Sequence, residues 1–152
     1  MATLLVACAS LAPLGCWRQR NITLPPGFTG TKVLEGTLGG PLEARVWGPG
    51  CSGFVASEPN HEVLSEASLP YVRVTVNGGG VDTTLALQLP DGTYRCNDDA
   101  EGHDPRVELR LPAGLTRVWV GGYGAGATGR YRLGVSTDRS VTAASLGAPE
   151  QR

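Results

Sequence analysis

"RVELRLPAGLTRVWVGGY", residues 106–123, decides the fold. Its first six residues set Val107, Leu109 and Leu111 against Arg106, Glu108 and Arg110. Pro112-Ala113-Gly114 then interrupts the run, and Val118 and Val120 resume it on either side of Trp119. A period of two sends successive side chains to opposite faces of a strand, so one face is buried and the other is wet. Two such runs joined by a Pro/Gly turn read as neighbouring antiparallel strands.

The same rhythm extends in both directions. In "YVRVTVN" (71–77), Val72, Val74 and Val76 alternate with Arg73 and Thr75. "DTTLALQL" (82–89) places Leu85, Leu87 and Leu89 on one side and Thr84, Ala86 and Gln88 on the other. "YRLGV" (131–135) contributes Tyr131, Leu133 and Val135. Pro90-Asp91-Gly92 makes a tight turn, with Pro presetting φ and Gly accepting a positive one. "NGGG" (77–80) and "GAGATG" (124–129) read as loops. No window carries a helical stripe. About eight strands follow, and they predict an all-β, antiparallel β-sandwich, because a single open sheet would leave its apolar face in water.

Composition agrees with this reading. The chain has 152 residues, 41% apolar and 18% charged, which suits one globular domain with its own core. A net charge of −1 provides no field to recruit nucleic acid or an anionic membrane. Residues 1–16 are apolar and too short to span a bilayer, so they read as an export leader. Within it, "LVAC" ending at Cys8 and "PLGC" ending at Cys16 resemble the lipobox of bacterial lipoproteins, which makes both candidate lipidation sites. Residues 17–43 form a linker in which "TKVLEGTL" supplies an edge strand. The sandwich proper then runs from 44 to 138, and 139–152 is a flexible tail. The expected product is an exported monomer, periplasmic, lipid-anchored at the outer membrane or secreted, with an unidentified protein or glycan partner.

Without the leader, Cys51 and Cys96 remain. An even pair in an exported domain favours a disulfide; two separately buried thiols are the alternative.

Several short motifs recur together in a known order. These are "CSGFV" (51–55), "PNH" (59–61), "DTTL" (82–85), "PDG" (90–92), "CNDD" (96–99), "PAG" (112–114), "VWVGGY" (118–123) and "YRLGV" (131–135). In order and spacing, residues 45–137 resemble the bacterial pre-peptidase C-terminal domain. The resemblance implies a jelly-roll-like β-sandwich that is not itself catalytic and is usually appended to secreted peptidases, assisting secretion, targeting or substrate contact. Here almost nothing remains to form a peptidase, so a role tied to an adjoining catalytic domain is not implied.

"TYRCNDDAEGHDP" (93–105) concentrates carboxylates. From Asp82 to Asp104 six acids face one basic residue, Arg95, and from Arg106 to Arg139 six Arg face Glu108 and Asp138. Asn97, Asp99 and Glu101 alternate before Gly102, echoing the spacing of a calcium loop. The candidate Ca²⁺ ligands are Asp82, Asn97, Asp98 and Asp99, with Glu101 or Asp104 completing the shell. The alternative is that Asp98 and Asp99 cap turns through backbone N–H groups.

Catalysis finds little support. Only His61 and His103 are available as bases, no G-x-S-x-G occurs, and "HEVLSEA" has Ser65 where a zincin has its second His. A second binding hypothesis uses aromatic residues. Trp119 falls on the parity opposite to Val118 and Val120, so with Tyr123 and Tyr94 it would form a ligand platform for a sugar or peptide. The alternative is that a loop covers Trp119. Trp47 and Phe54 read as core residues.

Overall fold

In the computed structural model, residues 20–151 are described; the segment expected to be a leader, with Cys8 and Cys16, lies outside them. Eleven strands form two sheets. The first holds β1 (Asn21–Leu24), β3 (Leu42–Glu43), β4 (Phe54–Val55), β5 (His61–Ser65), β7 (Thr83–Gln88), β8 (Tyr94–Asn97) and β10 (Gly114–Gly122). The second, in the order β2-β11-β6-β9, holds β2 (Thr31–Leu38), β6 (Leu69–Asn77), β9 (Arg106–Leu111) and β11 (Gly129–Ser136).

The decisive stretch becomes two strands in different sheets. β9 pairs with β6, while β10 is the hub of the other sheet, pairing with β5, β7 and β4. The turn at Pro112-Ala113-Gly114 therefore crosses between layers rather than closing a hairpin. The apolar parity still holds. Leu34, Leu38, Val72, Val74, Val76, Val107, Leu109, Leu111, Tyr131, Leu133 and Val135 face Ile22, Leu24, Val63, Leu85, Leu87, Val118 and Val120 in one core. Each such side chain contributes about 1.5–3 kcal/mol by leaving water.

One polar bridge crosses this core. The buried Tyr131 hydroxyl lies 2.7 Å from His61 Nε2, and His61 Nδ1 lies 2.7 Å from the Arg20 carbonyl. A carbonyl only accepts, so Nδ1 carries the proton and Nε2 accepts from the phenol. Gly36 makes room, because a Cβ there would overlap the Tyr131 ring.

Both ends of the sandwich differ from expectation. "TKVLEGTL" is indeed an edge strand, β2, pairing with β11 over all eight residues. However, β1 and β3 are also strands, so the sandwich starts well before Ala44. β1 lies parallel to β5, an exception to the antiparallel pattern. These elements are two to four residues long, too short to show a period.

The segment 139–151 was expected to be flexible. It instead packs across the outer face of the second sheet. Arg73 Nη1 donates to the Val141 carbonyl, Asn77 Nδ2 to those of Ala143 and Gly147, and Arg132 Nη1 to that of Leu146. Alternation had placed Arg73 and Thr75 in water, yet both are buried, Arg73 with its guanidinium held on the strap.

Candidate functional site

The acidic stretch folds as a pinned corner. Cys96 lies in β8 immediately before Asn97-Asp98-Asp99, and it is disulfide-bonded to Cys51 with a Cα–Cα distance of 5.0 Å. The bond fixes the segment 44–55 over the outer face of the first sheet. There the short 3-10 helix Ala44–Trp47 lays Trp47 on Tyr94, ring centroids 4.7 Å apart and nearly parallel. Trp47 also packs on Trp119 at 4.8 Å. Ala44, Cys51, Val55, Ala86 and Trp119 form a second apolar cluster under this cover.

The predicted platform is thus not an open surface. Trp119 does point outward from the sheet, as its parity required, but it is only 5% exposed because Trp47 and the disulfide lie over it. Tyr94 is half-buried in the same stack, and only Tyr123 of the three is exposed. Trp47 and Phe54 are partly buried, Trp47 serving as the lid of this cluster.

The predicted calcium ligands divide into two groups. Asp82 and Asp99 come together with His103, one ligand atom of each lying within 4.8 Å of the others. Asp82 Oδ2 is 3.4 Å from His103 Nδ1, while Asp82 Oδ1 is buried without a hydrogen-bond partner. The remaining four have oxygens engaged by the protein. Asn97 Oδ1 accepts from the Arg106 N–H, and Asp98 Oδ2 accepts from Ser52 Oγ at 3.0 Å. Glu101 pairs with Arg106 and accepts the Ala143 N–H. Asp104 Oδ1 accepts the Gly78 N–H. Burial holds the Asp104 carboxyl above the usual range, opposed by that N–H and reinforced by the Glu101 charge.

The expected shell of Asp82, Asn97, Asp98 and Asp99 is therefore not assembled as one set. The physical reason is the turn at 101–104, where Glu101 and Asp104 exchange backbone hydrogen bonds. That turn brings His103 to Asp82 and directs Glu101 toward the strap. His103 was the residue missed; its place beside Asp104 in "GHDP" was the available signal. Asp98 is neither a ligand of this group nor a backbone turn cap, since its recorded partner is the Ser52 hydroxyl.

Beside this corner lies an open cleft of about 350 Å³ lined by Glu43, Arg45, the 51–54 segment and Tyr123. Glu43 and Arg45 form an ion pair on its rim. Two lining residues bond to the acidic corner: Ser52 Oγ donates to Asp98 Oδ2, and the Tyr123 N–H donates to the main-chain carbonyl of Asp82 at 2.9 Å.

Fold and site define a disulfide-tied, two-sheet β-sandwich with an acidic corner. No family model matches the chain, and no curated protein matches it. Among solved structures, it is similar to the pre-peptidase C-terminal domain of collagenase from Bacillus anthracis, the same kind of domain that its motifs resemble. Identity is 16%, the match covers 78% of this chain and 95% of that one, and the TM-score is 0.47. It is also similar to Aeromonas hydrophila PliG, a periplasmic lysozyme inhibitor of g-type lysozyme, at 15% identity, 78% and 97% coverage and a TM-score of 0.40.

Proposed function

We propose that the chain is an exported, non-catalytic β-sandwich module with a binding role at the cell surface or outside the cell, its acidic corner stabilised by calcium. The carrying observation is the Cys51–Cys96 bond, which ties the acidic loop to the cover of the outer face. Such a bond persists in oxidising compartments and is rare in the cytosol. Absence of catalysis is supported by the state of His61, whose two ring nitrogens are both engaged inside the sandwich. It has no free nitrogen with which to act as a general base.

Calcium is supported by the orphaned Oδ1 of Asp82. A buried carboxylate oxygen without a partner is costly, and a cation would satisfy it. Asp82 and Asp99 supply hard oxygen donors, and loop carbonyls can complete a calcium shell. His103 is the less suitable neighbour, because imidazole suits zinc better than calcium.

The test has two arms. Intact mass of the natively exported protein should lack the leader and be about 2 Da below the reduced form. Recovery of the mature protein with reduced thiols would remove the export argument. Melting temperature should rise with millimolar Ca²⁺ and fall with EDTA, and Asp82→Asn should abolish the response. No calcium response ends the calcium proposal, and a larger rise with Zn²⁺ or Mn²⁺ reassigns the cation.

A further inference from the structure

We infer that the outer face of the second sheet is a docking surface for a partner protein. Its occupant is an uncharged, extended segment with one aliphatic side chain followed by glycine, and the strap 139–151 holds the place in cis. This gives the binding role proposed above a surface and rests on that reading. The first observation is a notch. Gly134 alternates with the core residues Leu133 and Val135, so it lies on the outer face, between Thr75 of β6 and Val33 of β2. Lacking a Cβ, it admits Leu146 of the strap, whose Cδ2 would stand 2.8 Å from a Cβ at that position. Nearby, side-chain N–H groups of Arg73, Asn77 and Arg132 take the carbonyls of Val141, Ala143, Leu146 and Gly147 at 2.7 to 3.1 Å. Every residue has a carbonyl, so these donors fix a backbone path, while the notch selects the side chain that enters. Arg73 is already paired with Glu108 and Arg132 with Glu35, so the grips present no net charge.

The second observation is that the resident segment fits imperfectly. Thr75, beside the notch, is fully buried, and its hydroxyl has no hydrogen-bond partner among the described residues. A buried hydroxyl left unpaired is costly, so a segment that brings a polar group to it is held better than the strap. The strap joins no β-ladder, and its connection to β11 is exposed at Asp138, Arg139 and Ser140. It can therefore lift away while both sheets stay closed. A second copy of the chain has no advantage at this face. Its strap is identical, and the short turn in which the Asp138 carboxylate accepts from the Ser140 N–H and hydroxyl keeps the cis strap at a higher effective concentration.

The full chain, ¹⁵N-labelled, is titrated with Ac-Thr-Ala-Ala-Ser-Leu-Gly-Ala-Pro-NH₂, the strap's own 142–149 sequence, and with the same peptide carrying aspartate in place of leucine. Leu146→Asp in the chain empties the notch without altering the sheet. This variant should bind the leucine peptide roughly tenfold more tightly than the parent does, because the cis competitor is weakened. Amide shifts should centre on Thr75, Asn77, Arg132 and Gly134, and the aspartate peptide should bind several-fold more weakly. Gly134→Ala fills the notch and should abolish binding while the amides of β6 and β9 stay in place. Thr75→Val removes the unpaired hydroxyl and should not weaken the leucine peptide. In the parent, the Ala143 amide, held by Glu101, should exchange with solvent faster than the amides of β6 and β11. Equal binding by the parent and Leu146→Asp chains would overturn the inference, as would unchanged binding by Gly134→Ala or weakened binding by Thr75→Val. Shifts centred elsewhere, none up to about 10 mM peptide, or exchange at Ala143 only with the whole sandwich would do the same. So would a dimer of the parent that the peptide dissolves, which gives the face to strap exchange between two copies. Disulfide state and calcium response are read without any peptide, so failure of the proposed function is seen separately.

Discussion

Acidification should unlock the bridge between the sheets. His61 is 2% exposed, and burial, the largest influence, lowers its affinity for a proton. The Arg20 charge acts in the same direction, while the hydrogen bond to the Arg20 carbonyl opposes it. In the unfolded chain the imidazole titrates near its ordinary value of 6.5. Below that pH the unfolded state holds the extra proton and the folded state does not, so stability falls as pH falls, until the folded group is protonated too.

With the folded group neutral throughout, moving from about pH 7.5 to about pH 5.5 removes up to about 1.4 kcal/mol. Asp104 works the other way: its raised value favours the folded state as acid is added. Urea denaturation at the two pH values, in a background carrying His103→Gln and Asp104→Asn, isolates His61 from both. The urea midpoint should fall with an unchanged m-value. Equal or greater stability at the lower pH would refute the reasoning, and so would a His61 imidazole seen by NMR to titrate at or above 6.5 in the folded protein.

Other perturbations have similarly direct readouts. Tyr131→Phe deletes the donor that satisfies His61 Nε2 and should cost about 1–3 kcal/mol in urea denaturation. Replacing Cys51 and Cys96 by Ala opens a loop of sequence separation 45 and should cost about 4 kcal/mol in the same assay. Ending the chain after Ser136 removes the carbonyls that Arg73, Asn77 and Arg132 grip in the strap. It should cost roughly 2–4 kcal/mol and hasten limited proteolysis of the second sheet. Gly40→Ala would drive a Cβ into the Val55 carbonyl and should cost about 1–3 kcal/mol, whereas Gly124→Ala meets nothing and should stay within about 0.5 kcal/mol of the parent in thermal melts.

The core was legible because its signal is local. Val72, Val74, Val76, Val107, Leu109, Leu111, Tyr131, Leu133 and Val135 all alternate, and all are buried. β3 and β4 were not legible, since two residues cannot display a period and their strand character comes from pairing with each other and with β10. The strap was missed for a different reason. "DRSVTAASLGAPEQ" (138–151) is polar and small, and much of what docks it is backbone carbonyls gripped by Arg73, Asn77 and Arg132 from other strands, joined by Arg139 on the Tyr71 ring and Gln151 on the Arg130 backbone. At the acidic corner, composition located the charge but not the convergence. Asp82 and His103 are far apart in sequence and meet only because the 101–104 turn folds back on β7, with the Thr83 N–H donating to the His103 carbonyl.

Both sheets are closed by strands that come late in the chain. β2 has one strand neighbour, β11, with Thr31 opposite Ser136, and β5, β7 and β4 are gathered only by β10. A polypeptide threaded amino-end first through a narrow channel would hold only separate two-stranded pieces, β1 with β5, β3 with β4, β7 with β8 and β6 with β9, until Gly114 and then Gly129 arrive. Such wiring delays collapse until nearly the whole length has passed, because distant partners must meet before they reward one another. Tight closure of both layers is thereby left to the final third of the chain.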